Sequence, residues 1–289
     1  MSPYFIKEPA AISFSGGRTS AYMLYKILDA HGGALPDYVH VLFANTGREM
    51  PETLDFVNKV AENWMVDIVW LERWARAIPD ESKKYGNRFE YDLQVTNYKD
   101  ASRDGEPFER LIKSRAYAPN PVARFCTVEL KIRAITDYMR RFVDDHYVGY
   151  IGIRADEQRR AAKMHGTKEG IQERYLPLWL DGVTKYDVFD FWDSCNFDLE
   201  LPNNNGTTDW GNCDLCFLKG RGKKETIIRE RPDLADWWIR MEEELSEQVG
   251  KGAYFRSDHP PYKDMKLIAT TQGQLFDFDD ESIPCFCGD

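Results

Sequence analysis

The feature that most constrains this chain is the stretch Ser13-Phe14-Ser15-Gly16-Gly17-Arg18-Thr19-Ser20. A strand-like run, Ala11-Ile12-Ser13-Phe14, breaks into two glycines and then into helix formers, Ala21-Tyr22-Met23-Leu24-Tyr25. Strand, glycine turn and helix in that order build a cradle for an anion. Glycines let the backbone approach closely, successive N–H groups point outward, and the helix adds its positive end. Ser15, Thr19 and Ser20 add hydroxyl donors. The Gly-Lys-Ser/Thr ending of a mononucleotide P-loop is absent, and so is the Gly-x-Gly-x-x-Gly of dinucleotide folds. Taken alone, the turn also suits a plain tight connection, so its companions along the chain carry the reading.

Apolar strand-like runs alternate with helical patterns through the first two-thirds. Strands are expected over 38–44, 66–71 and 147–153, with a short one over 174–179. Helices are expected from Pro51, with Glu52 near its positive end, over 128–143, from Ala155, and over 185–192. This alternation predicts an α/β fold: an open, mostly parallel, doubly wound, Rossmann-like sheet with helices on both faces. Between Arg73 and Phe125 the pattern weakens into polar, turn-rich sequence, which predicts an excursion lying over the sheet edge. After Pro202 the texture changes to loop, then to a largely helical stretch over 223–248. Residues 1–200 are therefore expected to form the α/β domain, and 201–289 a cysteine-containing helical and irregular extension packed on it.

No apolar run approaches the roughly 20 residues that span a membrane, and the N-terminus lacks the basic start and apolar centre of a signal peptide. A cytoplasmic protein is expected. The net charge of −10 argues against a generic nucleic-acid coat. The charge is unevenly placed, however: eight basic and two acidic residues over 110–141, five and two over 154–168, six and two over 219–231. These stretches adjoin the motifs below, which favours an anionic ligand in a local basic cleft. A nucleic-acid or a small-molecule acceptor suits such a cleft equally, and oligomeric state is not legible.

Further segments accompany the glycine turn in a fixed order: "FANTGREMPETLDFV" from Phe43, "GIRADEQRR" from Gly152 and "PLWLDGVTKYDVFDFW" from Pro177. Together with "SFSGGRTS" they resemble the PP-loop ATP pyrophosphatases (adenine nucleotide alpha hydrolase-like), in particular their phosphoadenosine-phosphosulfate reductase-like branch. The resemblance implies an adenine nucleotide, ATP or a sulfonucleotide, with its phosphates on Ser15, Gly16, Gly17, Thr19 and Ser20 and its adenosine near Asn45, Thr46 and Gly47. It implies that Arg154 bridges phosphate or sulfate, with Arg159 and Arg160 nearby and Glu157 orienting it. One departure matters: Thr19 stands where the signature usually has aspartate, which removes a carboxylate able to assist a magnesium ion.

Six cysteines occupy 126, 195, 213, 216, 285 and 287. Cys213 and Cys216 form a Cys-x-x-Cys on a loop, a spacing that suits an iron–sulfur cluster, zinc or redox thiols. Cys126 and either Cys285 or Cys287 are the candidate partners. In the reductase-like branch, the resemblance implies a 4Fe-4S centre at positions like Cys126, Cys213 and Cys216, with zinc as the second choice. It also implies a mobile C-terminal cysteine that attacks sulfur, for which Cys287 is the candidate, although Asp279, Asp280, Glu281 and Asp289 flank the tail. Cys195 reads as a core residue, and the five histidines show no metal-ligand spacing. Three functions remain open at this point. The first is an ATP-cleaving enzyme that releases pyrophosphate and adenylates an acceptor in a sulfur-handling reaction. The others are a sulfonucleotide reductase, and a nucleotide-binding module with a structural metal.

Overall fold

The computed structural model describes residues 2–82, 87–164, 173–205 and 207–271. Cys285 and Cys287 lie outside the described residues. The chain opens with β1 (Ala10–Ser13), the glycine turn, α1 (Arg18–Ala30), β2 (Val39–Ala44) and α2 (Pro51–Trp64). Proline stands in the first turn of α2, and Met65 closes that helix in the left-handed conformation at φ 50°. β3 (Ile68–Pro79) then turns back into β4 (Asn87–Thr96), and α3 (Glu106–Arg115) follows. A π-helical turn, Thr127–Ile132, runs directly into α4 (Arg133–Phe142). After it come β5 (Val148–Ile151), α5 (Gln158–Met164), β6 (Arg174–Tyr175), α6 (Pro177–Leu180) and α7 (Lys185–Asp193). The last helices are α8 (Arg221–Glu230), α9 (Ala235–Val249) and α10 (Tyr262–Thr271), with a short 3-10 turn at Pro232–Leu234.

The strands form one sheet in the order β4-β3-β2-β1-β5-β6. β1, β2, β3, β5 and β6 pair in parallel, and β4 pairs antiparallel with β3 from Trp70 opposite Thr96 to Pro79 opposite Asn87. The segment expected to lie over the sheet edge is thus partly the edge itself. Strand β3 runs eight residues beyond Leu71, and every side chain of β4 is exposed or half-buried, as on an edge strand. The stretch over 174–179 yields only a two-residue strand before Pro177 starts a helix. The expected helix over 223–248 is broken where Pro232 cannot continue it.

Both faces of the sheet are covered, as the alternation of side chains requires. Ile12, Phe14, Val41 and Phe43 point into the larger core with α1, α2 and α7, whereas Ala11, Leu42, Ala44 and Leu71 meet Ala134, Tyr138 and Met139 of α4. The C-terminal residues Leu215, Phe217, Trp238, Phe255 and Tyr262 belong to that same larger core. From β1 the chain steps outward through β2 and β3 and later returns to β5 on the other side. The strand order therefore reverses between β1 and β5, and beyond their carboxyl ends lies the crevice where open α/β sheets hold ligands.

Candidate nucleotide site and cysteine loop

The glycine turn sits in that crevice. Phe14 N–H still pairs with Leu42, after which the chain leaves the sheet. Gly16 adopts φ +78°, and a Cβ there would lie 2.7 Å from the Thr53 methyl; both conformation and space demand glycine. Gly17 caps α1 in extended conformation with no side chain bonded to the helix end, so the first-turn amides face outward. Hydroxyls shape the turn: Ser15 N–H donates to Ser20 Oγ at 3.2 Å, and Ser20 Oγ donates to the Gly17 carbonyl at 2.9 Å. Arg18 points backward. Its guanidinium binds Asp198 twice at 2.7 Å and also donates to the carbonyls of Leu199 and Leu201, anchoring α1 to that segment.

Across the crevice, the end of β5 supplies Gly152 and Arg154. A Cβ on Gly152 would sit 3.1 Å from Ser20 Cα, so glycine lets α1 and β5 close together. Buried Arg154 donates to Thr19 Oγ1 at 2.9 Å and is balanced by Asp156 and Glu157 at 3.1 and 3.7 Å. Glu157 also accepts the Arg154 backbone N–H at 3.0 Å and pairs with Arg160. Arg160 is buried with its Nε and Nη2 unpartnered, while Arg159 on the other side of α5 is exposed. Thr19 therefore occupies the centre of this arrangement, linking the turn to Arg154.

The end of β2 contributes Asn45, Thr46 and Gly47; the Asn45 and Thr46 side chains are engaged by the protein. Asn45 donates to Glu72 at 2.7 Å and to the Ser102 carbonyl at 2.8 Å, and Thr46 donates to Glu49 at 2.8 Å. Gly47, at φ +80°, passes within 3.0 Å of Gly105 as judged from its missing Cβ. Sequence reasoning did not single out Glu72, Thr53 or the 207–212 segment. A recess of about 20 Å³ at the turn is walled by Gly16, Thr19 and Thr53 on one side and by Thr207, Thr208 and Asn212 on the other.

The cysteine loop joins the β2 end through a bridge between Glu49 and Cys213. Thr46 Oγ1 lies 3.6 Å from Cys213 Sγ, and Lys131 reaches Glu49 at 3.2 Å. Lys131 is on the π-helical turn that begins just after Cys126, and Cys126 and Cys213 both pack against the larger core. Burial, and after it the carboxylate of Glu49, push the Cys213 thiol well above its ordinary range. Next to it, Asp214 pairs with Arg48 and accepts from Trp238 at 2.8 Å, yet its burial still raises it. Cys216 is buried. Among the described residues no three of His, Cys, Asp and Glu converge as a metal would require. The described cysteines therefore do not by themselves complete a cluster or a zinc site.

An α/β sheet with a glycine turn at its strand-order reversal places that turn where open α/β folds hold their ligands. The phosphoadenosine phosphosulfate reductase domain matches residues 9–174, more than half of the sequence, and the chain belongs to that family. An uncharacterized nin region protein of Escherichia phage lambda is 30% identical over 254 residues, 86% of this chain and 76% of the relative. An uncharacterized protein of Methanocaldococcus jannaschii is 23% identical over 256 residues, 86% of this chain but 44% of that protein. Among solved structures, a U34-tRNA thiolase of Methanococcus maripaludis with its 4Fe-4S cluster matches at TM-score 0.40 and 15% identity, covering 97% of this chain and 80% of that one. So low a similarity transfers no residue or ligand correspondence. No described helix is long and apolar enough to cross a membrane.

Proposed function

We propose that the chain is a PP-loop enzyme that binds ATP, with the polyphosphate on the Ser15–Ser20 turn and the nucleoside over the Asn45–Gly47 loop. An acceptor attacks the α-phosphorus, the bond to the bridging oxygen breaks, and its electron pair leaves with pyrophosphate. The observation that carries the reading is Thr19, held by Arg154 at the strand-order reversal beside outward-facing first-turn amides. Donors fixed before reaction stabilise charge developing on the leaving pyrophosphate without reorganising, and Arg154 adds a full positive charge. Glu157 holds Arg154 by its backbone N–H, which is a positioning role. Arg160, with two unpartnered nitrogens, is a second candidate anion contact from α5, and exposed Arg159 flanks it.

The finer parts of the proposal are an adenylated acceptor in a sulfur-handling reaction and a 4Fe-4S centre on Cys126, Cys213, Cys216 and Cys285. Zinc is the alternative metal, and magnesium a possible companion of ATP. No step above runs through a cluster. Iron and acid-labile sulfide in protein purified without oxygen, lost in both Cys126→Ala and Cys213→Ala, would support the centre; stoichiometric zinc or no metal would remove it. The family match favours a second reading, in which the same turn holds a preformed sulfonucleotide: the Cys287 thiolate attacks its sulfur, the S–O bond breaks with its electron pair leaving on the nucleotide phosphate, and an external thiol reductant releases sulfite from the cysteine. Pyrophosphate release from ATP that survives Cys287→Ser supports the first reading. Reduction of a sulfonucleotide that is abolished by Cys287→Ser supports the second.

A further inference from the structure

Thr53 stands in the first turn of α2, is 3% exposed, and its Oγ1 has no hydrogen-bond partner among the described residues. Burying an unpaired hydroxyl is unfavourable, so such a group is explained best by a ligand that completes it. Its surroundings are the anion cradle, since Thr53 walls the recess with Gly16 and Thr19. The hydroxyls there have protons to give. Thr19 Oγ1 accepts from Arg154, and Thr208 Oγ1 accepts from the Trp210 N–H at 3.2 Å, which leaves each O–H free to donate. Thr207, by contrast, already donates to the Asn204 carbonyl at 2.9 Å. Arg18, buried at the same wall, keeps Nη1 without a partner.

Thr208 belongs to a segment that is held in place from behind. Lys219 Nζ donates to the carbonyls of Asp209 at 2.7 Å and Gly211 at 2.5 Å, and Asn212 sits at φ +63°, a left-handed conformation that side chains rarely adopt. The segment thus closes the recess opposite α1 and α2. At about 20 Å³ the recess admits a group the size of roughly one phosphoryl oxygen between its two walls.

We infer that Thr53 and Thr208 are phosphate ligands, donating their hydroxyl protons from two sides to the terminal phosphoryl group of the polyphosphate on the glycine turn, with 207–212 as a fixed strap across it. This rests on the nucleotide reading of the turn. The test is calorimetric titration of inorganic pyrophosphate, and separately ATP, into the full chain and into Thr53→Val, Thr53→Ser and Thr208→Val, with a melting curve for each without ligand. Losing one hydrogen bond to a charged group predicts roughly tenfold weaker pyrophosphate binding for each valine variant, with Thr53→Ser within about threefold of wild type. Unliganded Thr53→Val melts at the same temperature as wild type or higher, because valine removes the unpaired hydroxyl at constant shape. A merely structural threonine would give the opposite: lower melting and unchanged affinity. Unchanged affinity in both valine variants overturns the inference and leaves the turn's role standing. Weakening at Thr53 alone overturns the strap. Failure of wild type to bind either ligand overturns the inference together with the reading beneath it. Should Thr53→Val not fold, Thr208→Val in its half-buried loop decides.

Discussion

The two ends of the β2 connection differ in how their polar groups are satisfied. Around Cys213, Thr46 is taken by Glu49, Glu49 by Lys131, and Asp214 by Arg48 and Trp238. Around the glycine turn, α1 has no side-chain cap, and the Thr53 hydroxyl and Arg18 Nη1 have no partner among the described residues. The charges differ too: both the Glu49 carboxylate and the Lys131 ammonium bear on the Cys213 thiol, while Arg18 and Arg154 flank the turn. The contrast is the basis for proposing that the turn holds an anion, whereas the polar groups around Cys213 are already paired within the protein. Unsatisfied donors cost stability in the free protein, and only a ligand returns it.

The severest way to break this contrast is Arg154→Ala. Truncating a buried charge leaves Asp156 without its partner and frees Thr19, so ATP affinity measured by calorimetry should fall about 100-fold. An unchanged affinity would move the anion site elsewhere. Gly16→Ala comes next. It forces an alanine to φ +78° and a Cβ onto Thr53, which predicts about 2 kcal/mol lost in urea denaturation, with weakened ATP binding. Cys213→Ala sharpens the comparison from the other side. If the cysteine loop is independent of the phosphate cradle, ATP affinity stays within about twofold, a difference under 0.5 kcal/mol; a tenfold loss would make the two regions one site.

How far the fold was legible follows the strength of each local signal. The strand-turn-helix at Ser13–Ser20 and the buried run of β2 announce themselves through glycine chemistry and continuous apolar character. β4 was hidden because an edge strand with one solvated face reads as polar sequence, although Arg88-Phe89-Glu90-Tyr91-Asp92-Leu93 does alternate. The π-helical turn over Thr127–Ile132 has no local signature, since it depends on how Glu129 and Lys131 are held by Arg73 and Glu49. In the site, glycines and hydroxyls were readable. That Arg160 is buried and Arg159 exposed is decided by the rotation of α5, and that Thr53 is unpaired is a fact of packing alone.

A smaller effect tests the C-terminal layer, where satisfaction is again internal. Glu242 accepts the N–H groups of Phe255 and Tyr262, yet burial raises it from 4.5 to about 7. The folded protein therefore holds this proton more tightly than the unfolded chain, so stability present below about pH 4.5 is lost as pH rises through 7. The loss is at most about 3 kcal/mol at 1.36 kcal/mol per unit, and it should be absent from the pH dependence of melting in Glu242→Gln.

The most direct test of the central claim is calorimetric titration of ATP into the wild-type chain and Arg154→Ala, with inorganic pyrophosphate as competitor. The account predicts a single site that pyrophosphate competes for and that the substitution abolishes or weakens about 100-fold. ATP binding that ignores both pyrophosphate and the loss of Arg154, or no binding at all, would contradict it.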